Sequence, residues 1–486
     1  MEKKRTALGL ILAVMLTVSG CLFRSPAELY RQPEKSAGYE QLNAAIRQVK
    51  NSLGAELGVQ VEDAAIMSGD NTNTIQLQDL DGDGRRESAL TFLRAPGVEK
   101  PMRIYIFTQD EEEAYAVTGV VEGEGSAIYA IDYAQLNGEG RKELVVHWQI
   151  SSGAYQLGVY TFDELLPRES AAQNGQSSPV QEAVSPPGRA ELTAVELLLT
   201  RCSVAADGSS GVRLMDMDQD TRTEIAVTRL DPGGMNSTVE LYGWRNGGMR
   251  SLASAGLSNG VTALNRIRSN YLAGEYRPPA LYVTGTLADN RRIIDVLAWM
   301  DGELVNLTLD EAGVSREVIQ GYTEVIPTDI NDDYVVELPC PTPLPVYGES
   351  SSNNFWLIDW SQYDSRGNRN HVLTTYHNVS DGWYLEIPGS WRDQITISRN
   401  DQVTGLREVI FSQWRGADRE PKPFLSIYRL STNRTGAGAD SSWFILREEE
   451  NVVYAARFHP GGWNSGLEEM DLLERFKTIQ TSWYYE

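Results

Sequence analysis

From about residue 59 to residue 380, short apolar runs alternate with acidic or glycine-rich loops. Residues 88–93, 104–107, 143–149, 239–244 and 294–299 are too short for helices and rich in β-branched and aromatic side chains, so each predicts a strand. Runs such as Leu144-Val145-Val146 are apolar on both sides, which predicts sheets covered on both faces. Two stretches have a different period. Leu42, Ala45, Ile46, Val49 and Leu53 recur at helical spacing and predict an amphipathic helix over 38–53. Leu467, Met470, Leu472, Leu473, Phe476 and Ile479 predict a second over 467–479.

The strands repeat. An apolar run ending in an aromatic recurs at Phe107, Phe162, Trp244, Trp299 and Trp360, at intervals of 55, 82, 55 and 61. The long interval contains residues 167–190, rich in Ser, Gln, Ala and Pro, which reads as a disordered surface insertion. Without about 25 residues of it the period returns to about 55. Each unit holds four short strands joined by tight turns, which points to a mainly β fold, a β-propeller of about five four-stranded blades.

An acidic loop precedes a strand in most units. The first carries Asp79, Asp81, Asp83 and Glu87. The third carries Asp216, Asp218, Asp220 and Glu224, and the fifth Asp329, Asn331, Asp333 and Glu337. Oxygens at loop positions one, three, five and nine, with the carbonyl of position seven (Arg85, Arg222 or Val335), form a set suited to Ca²⁺, which takes about 6–8 oxygens. Gly82 and Gly84 supply the backbone freedom for the turn. In the second unit Gln135, Asn137 and Glu139 replace the aspartates ahead of Glu143. In the fourth, a shift of 55 residues puts Tyr271, Ala273, Glu275 and Pro279 at the ligand positions, so that unit has the framework without ligands. No His or Cys accompanies these carboxylates, which disfavours transition metals. The expected role of the Ca²⁺ is structural, pinning the loop of each blade.

These units resemble FG-GAP/VCBS-type repeats, the calcium-loop blades of integrin-like propellers and bacterial surface proteins, over residues 59–379. The Phe-Gly and Gly-Ala-Pro signatures of that family are absent. From residue 381 to 486 the texture changes to successive hairpin strands and a final helix, a small α+β domain. The pattern Ile387-Pro388-Gly389-Ser390-Trp391 near its start, with Phe476 and Ile479 ahead of Ser482-Trp483 near its end, resembles the PsbP-like fold.

The N-terminus sets the compartment. Lys3, Lys4 and Arg5 precede an apolar run over 7–18 that is short for a membrane span. It ends in Leu16-Thr17-Val18-Ser19-Gly20-Cys21, which resembles a bacterial lipobox. The expectation is a signal peptide over 1–20, a lipidated Cys21 anchoring the chain to the bacterial cell membrane, a tether and helix over 21–58, and an extracytoplasmic body. The formal charge of −24 argues against nucleic-acid binding, which needs a basic surface. Cys202 and Cys340 read as buried thiols, with a single bridge as the alternative.

Little in the sequence points to catalysis. No nucleophile elbow, phosphate loop or zinc helix is present. His147, His371, His377 and His459 fall on strands or in a turn. The expectation is a non-catalytic binding or scaffold protein with a protein or cell-wall glycan partner. The alternatives are a carbohydrate-binding module, for which Trp391, Trp414 and Trp463 would be stacking residues, and an envelope hydrolase.

Overall fold

The computed structural model describes residues 37–86, 88–109, 114–138, 140–162, 194–322, 324–348, 355–402, 405–431, 442–461, 463–480 and 483. The segment 1–20, Cys21, the 167–190 insertion and Glu87 lie outside these residues. Among the described residues no helix is long and apolar enough to cross a membrane.

Helix α1 (Ala37–Leu57) leads into the first of six antiparallel sheets. Sheet one comprises β1 (Glu62–Asp63), β2 (Ile75–Gln78), β3 (Ser88–Arg94), β4 (Met102–Gln109) and β5 (Tyr115–Gly123). Sheet two comprises β6 (Ala127–Ala134), β7 (Glu143–Ser151), β8 (Ala154–Phe162) and β9 (Ala194–Cys202). Sheet three comprises β10 (Val212–Met215), β11 (Glu224–Arg229), β12 (Thr238–Arg245) and β13 (Gly248–Gly256). Sheet four comprises β14 (Val261–Tyr271), β15 (Pro279–Leu287), β16 (Arg292–Met300), β17 (Glu303–Asn306) and β18 (Val318–Ile319). In the first four sheets the main strands pair in chain order, as tight antiparallel turns dictate.

Sheet five runs through β19 (Leu338–Pro343), β20 (Trp356–Tyr363), β21 (Arg369–Asn378) and β22 (Trp383–Glu386). Sheet six holds β23 (Ile395–Asn400), β24 (Leu406–Gln413), β25 (Lys422–Ser431), β26 (Phe444–Glu448) and β27 (Val452–Phe458). Helix α2 (Glu469–Arg475) follows, and then β28 (Phe476–Thr478) returns to the edge of β22. Sheet five therefore crosses residue 380, and the C-terminal segment completes it.

Successive sheets pack face to face because their strands are apolar at every position rather than at alternate ones. Leu90 and Phe92 meet Val146 and Trp148 of sheet two. Val145 and Val159 of sheet two meet Ile225 and Val227. Ala226 and Leu241, on the other face of sheet three, meet Leu281 and Val283. Tyr282 and Ile294 then meet Leu338 and Tyr363 of sheet five. With period-two alternation, neighbouring residues of one strand serve two different interfaces. Each fully buried Leu, Ile or Phe contributes about 1.5–3 kcal/mol.

The two ends of this series are covered. A closed ring would set sheet five against sheet one. Among the described residues, the free face of sheet one, formed by Ala89, Leu93, Tyr105 and Phe107, packs instead on Leu42, Ile46 and Leu53 of α1. At the other end Leu357, Tyr376 and Leu385 of sheet five pack on Ile397, Val409 and Phe411 of sheet six, while Ile358 and Trp360 cluster with Val325, Ile330 and Trp483.

Two local expectations change, and the reading of Cys202 and Cys340 as thiols holds, with Cys202 buried and Cys340 half-buried. The predicted helix over 467–479 is helical only to Arg475. Phe476 turns into β28, where its ring lies 5.5 Å from Trp383 and 5.3 Å from Tyr454. The strand also satisfies the open edge of β22, which a continued helix would leave bare. Trp391 is fully buried, and its Nε1 donates to the Ser465 carbonyl at 2.8 Å, so it is a core residue and no stacking platform. Trp463 packs on it at 6.4 Å. Cys202 and Cys340 are both free thiols, and burial pushes the Cys202 pKa up to about 12.

Candidate metal loops and an inner cavity

Three loops share one hydrogen-bond pattern. The position-one carboxylate accepts the position-six N–H: Gly84 to Asp79 Oδ2 at 2.9 Å, Thr221 to Asp216 Oδ2 at 3.0 Å, and Tyr334 to Asp329 Oδ2 at 2.7 Å. Position three accepts from position five: Asp83 to Asp81, Asp220 to Asp218, and Asp333 to Asn331, at 3.1–3.2 Å. Position five accepts from position seven: Arg85 to Asp83 at 2.7 Å, Arg222 to Asp220 at 2.9 Å, and Val335 to Asp333 at 2.8 Å. Each aspartate thus fixes the main chain and orients its neighbours.

The backbone is equally uniform. Positions four and six have positive φ in four loops. Glycine fills them in the first two, as Gly82, Gly84, Gly138 and Gly140. In the other two they are Gln219 and Thr221, and Asp332 and Tyr334, with φ between 59° and 75°. Side chains resist that region, and a β-branched one such as Thr221 resists it most. A Cβ on Gly82 would stand 2.2 Å from the Gly140 carbonyl oxygen, because the first two loops lie against each other. The Lys142 N–H donates to Leu80 O at 3.1 Å across that contact.

The closing glutamate anchors the loop from below. Glu224 Oε2 accepts the Met217 N–H at 2.8 Å, and Glu337 Oε2 accepts that of Ile330 at 3.0 Å. Glu143, in the loop without aspartates, makes the same bond to Leu136 at 2.8 Å. All three glutamates are fully buried.

Carboxylate oxygens within 4.8 Å of one another gather at Asp79, Asp81 and Asp83, at Asp216, Asp218 and Glu224, and at Asp329, Asp333 and Glu337. Asp220 stands outside these groups. Asp220 shares Arg245 with Asp218, at 3.4 and 3.3 Å. Asn331 donates its amide to Asp333 at 3.0 Å. The three sets differ in what answers their charge. In the fifth loop Gln362 donates to both Asp333, at 2.9 Å, and Glu337, at 2.6 Å. In the third, Asp216 Oδ1 and Glu224 Oε1 are buried with no hydrogen-bond partner.

The electrostatics follow. Desolvation, with Asp218 and Asp220 adding negative charge, raises the Glu224 pKa to about 7. Desolvation, with Asp333 and Asp329, raises Glu337 to about 8. Asp79 is half-buried, and although desolvation opposes it, the N–H groups of Gly82 and Gly84 hold its carboxyl below the usual range. Two orphaned carboxylate oxygens beside a third carboxylate match a hard divalent cation, so the residues of the third loop fit Ca²⁺.

The first strands of sheets three and four border an inner cavity of about 650 Å³ that sequence reading did not anticipate. Arg213, Arg266 and Arg268 reach its wall, with Asp207, Asp329 and Ser269. The signal was present, because the 55-residue shift that aligns the units also sets Arg213 on Arg268.

The histidines each have polar or aromatic neighbours, and His371 lies 3.0 Å from Thr374 Oγ1 and 3.5 Å from Asp359. His147 is buried, with Nδ1 2.8 Å from Ser210 Oγ, and burial lowers its pKa to about 3. His377 lies between Trp360 and Tyr384, and burial likewise lowers it to about 3. His459 contacts Ser426 at 2.9 Å, and that hydroxyl is fully buried.

Neither a family model nor a curated protein matches the chain. Among solved structures, it is similar to an exo-β-1,3-galactanase from Phanerochaete chrysosporium solved with galactose. The match has 10% identity and a TM-score of 0.22, and covers 83% of this chain and 90% of that one. That structure is of an enzyme, which runs against the sequence expectation of a non-catalytic protein, and the expectation is withdrawn. At this identity and TM-score the galactanase assigns no activity in its place.

Proposed function

We propose that this chain is an extracytoplasmic binding protein, anchored by a lipid on Cys21, whose repeats form a propeller-type array of five blades with Ca²⁺ in their loops. In this reading α1 and the C-terminal segment cap the array. The observation that carries the cation is the third loop, where Asp216 Oδ1 and Glu224 Oε1 are buried without partners beside Asp218. The Ca²⁺ would be held by Asp216, Asp218 and Glu224, and by the matching sets of the first and fifth loops. Bound there, it neutralises crowded carboxylates and fixes the turns that lead into β3, β11 and β19.

The test is thermal unfolding with Ca²⁺ and with chelator. A site that binds only the folded state adds about 2.7 kcal/mol at a hundredfold excess over Kd. A rise in Tm with Ca²⁺, reduced in Asp216→Ala, supports the reading. Equal Tm values in Ca²⁺ and chelator would end it.

A second reading has its own observation, the inner cavity. Its volume of about 650 Å³ and its polar wall suit a small polar ligand such as a sugar. In this reading the protein binds or cleaves an envelope glycan. Saturable sugar binding abolished by substitutions in the cavity wall is the expected result.

A further inference from the structure

We propose that the inner cavity takes a small ligand bearing an oxyanion, a carboxylate or a phosphate, held by Arg213 and Arg266. This rests on the second reading above, in which the cavity is a ligand site.

Arg213 stands on β10 and lines the cavity. Its Nη1 donates to the carbonyls of Ser210 at 2.7 Å and Val212 at 2.9 Å, and its Nη2 donates to that of Ile267. These acceptors are neutral. Among the described residues no carboxylate forms an ion pair with this guanidinium. Burial works against its charge, and Asp207 and Asp132 offset that only at a distance. A desolvated cation without a partner anion is a costly arrangement that a bound anion corrects.

Of the other charged groups of the wall, Asp332 is exposed, and Asp207, Asp329, Arg266 and Arg268 are engaged. Asp207 Oδ2 lies 3.3 Å from Arg266 Nε, and its Oδ1 accepts the Ser209 N–H at 2.9 Å. Asp329 turns its two oxygens to the N–H groups of Asp333, at 3.0 Å, and Tyr334, at 2.7 Å. Arg268 donates to the carbonyls of Pro327 at 3.3 Å and Trp483 at 2.6 Å, which fixes the far wall. Three of the five N–H groups of Arg213 are on those carbonyls, so its charge and remaining N–H groups, with the Arg266 guanidinium, would meet the carboxylate or phosphate oxygens that a neutral sugar lacks. Ser269 and Asn270 supply a hydroxyl and an amide for the rest of the ligand.

The test is calorimetric titration of the full-length protein in detergent with glucuronate, with inorganic phosphate and with glucose. Saturable binding of glucuronate alone assigns a carboxylated sugar, and of phosphate alone a phosphate group. Arg266→Gln is expected to weaken that binding by about tenfold or more. Asp207→Asn, which removes the competing carboxylate, is expected to tighten it, and this holds the inference to account even where Arg213→Gln fails to fold. Glucose binding as tightly as glucuronate and phosphate leaves the cavity a ligand site and overturns the oxyanion. Binding of none of the three overturns both.

Discussion

Glu224 accepts the Met217 N–H through Oε2 at 2.8 Å while its Oε1, equally buried, meets no donor. One oxygen holds the loop together, and the other is available to a cation. The carboxylate therefore couples loop geometry to charge, and the coupling has a sign. Its folded pKa of about 7 lies above the usual glutamate value, as does the value of about 8 at Glu337. A carboxylate with a raised folded pKa binds more protons folded than unfolded. Its contribution is fully present below the unfolded pKa and is lost as pH rises through the folded one. Metal-free protein is therefore expected to lose Tm as pH rises from about 4.5 to about 8. Saturating Ca²⁺ should flatten that profile and release protons on binding near neutral pH. Unfolding scans in chelator across this window, paired with calorimetry in buffers of different ionisation enthalpy, check both.

Glu224→Gln separates the two roles of that side chain. The amide oxygen can still accept the Met217 N–H, and the buried negative charge is gone. Above about pH 7 the chelated variant should be at least as stable as the parent. Its Tm increment with Ca²⁺ should shrink. A variant as responsive to Ca²⁺ as the parent would remove Glu224 from the ligand set.

Arg245 acts on the third loop as a surrogate cation, with Nη2 3.3 Å from Asp218 and 3.4 Å from Asp220. It competes with a bound ion for the same oxygens. A partly exposed pair of this kind is worth about 0.2–1 kcal/mol. Arg245→Met is expected to lower the Tm in chelator slightly and to raise Ca²⁺ affinity a few-fold, read by titration.

The loop backbone makes two opposite predictions. Thr221, at φ 75°, is strained, and Thr221→Gly keeps the N–H that Asp216 accepts. The strain relieved, about 1–2 kcal/mol, exceeds the entropy that glycine adds, about 0.5–1 kcal/mol, so a small gain in stability is expected. Gly82→Ala meets both a positive φ and the Gly140 carbonyl, and should be clearly destabilising. Denaturant midpoints of the two variants should move in opposite directions.

Trp391 gives a test of the C-terminal core. It is fully buried and donates to Ser465. Trp391→Ala is expected to cost about 3–5 kcal/mol or to prevent folding. A stacking residue on the surface would cost little and alter only ligand binding.

Much of the array was legible because its chemistry is local. The aspartate spacing, the strand after each loop and the lost ligands at Tyr271, Ala273, Glu275 and Pro279 are carried by adjacent residues. What was missed depends on partners distant in sequence. The apolar face of Leu42, Ile46 and Leu53 predicted a helix, but nothing nearby named Phe107 and Leu93 as its seat. The spacing of Leu467 to Ile479 fits a helix until β22 offers an open edge to Phe476. The loop spacing marks Glu224 and Glu337 as ligands, and their bonds to Met217 and Ile330 show that they also brace the loop. Arg213 and Arg268 carry no local signal of a site, because only the packed sheets bring β10 and β14 together around the cavity.

The return of β28 to β22 sets an order of events during synthesis. The chain emerges from its N-terminus, so α1 and the first four sheets can assemble while later residues are still being made. Sheet five cannot close until residues 476–478 are out, and until then the edge of β22 has no neighbour. The Trp360 face also awaits Trp483. Newly made chains would thus pass through a stage with one sticky edge and one bare aromatic face, the features that chaperones recognise and proteases patrol.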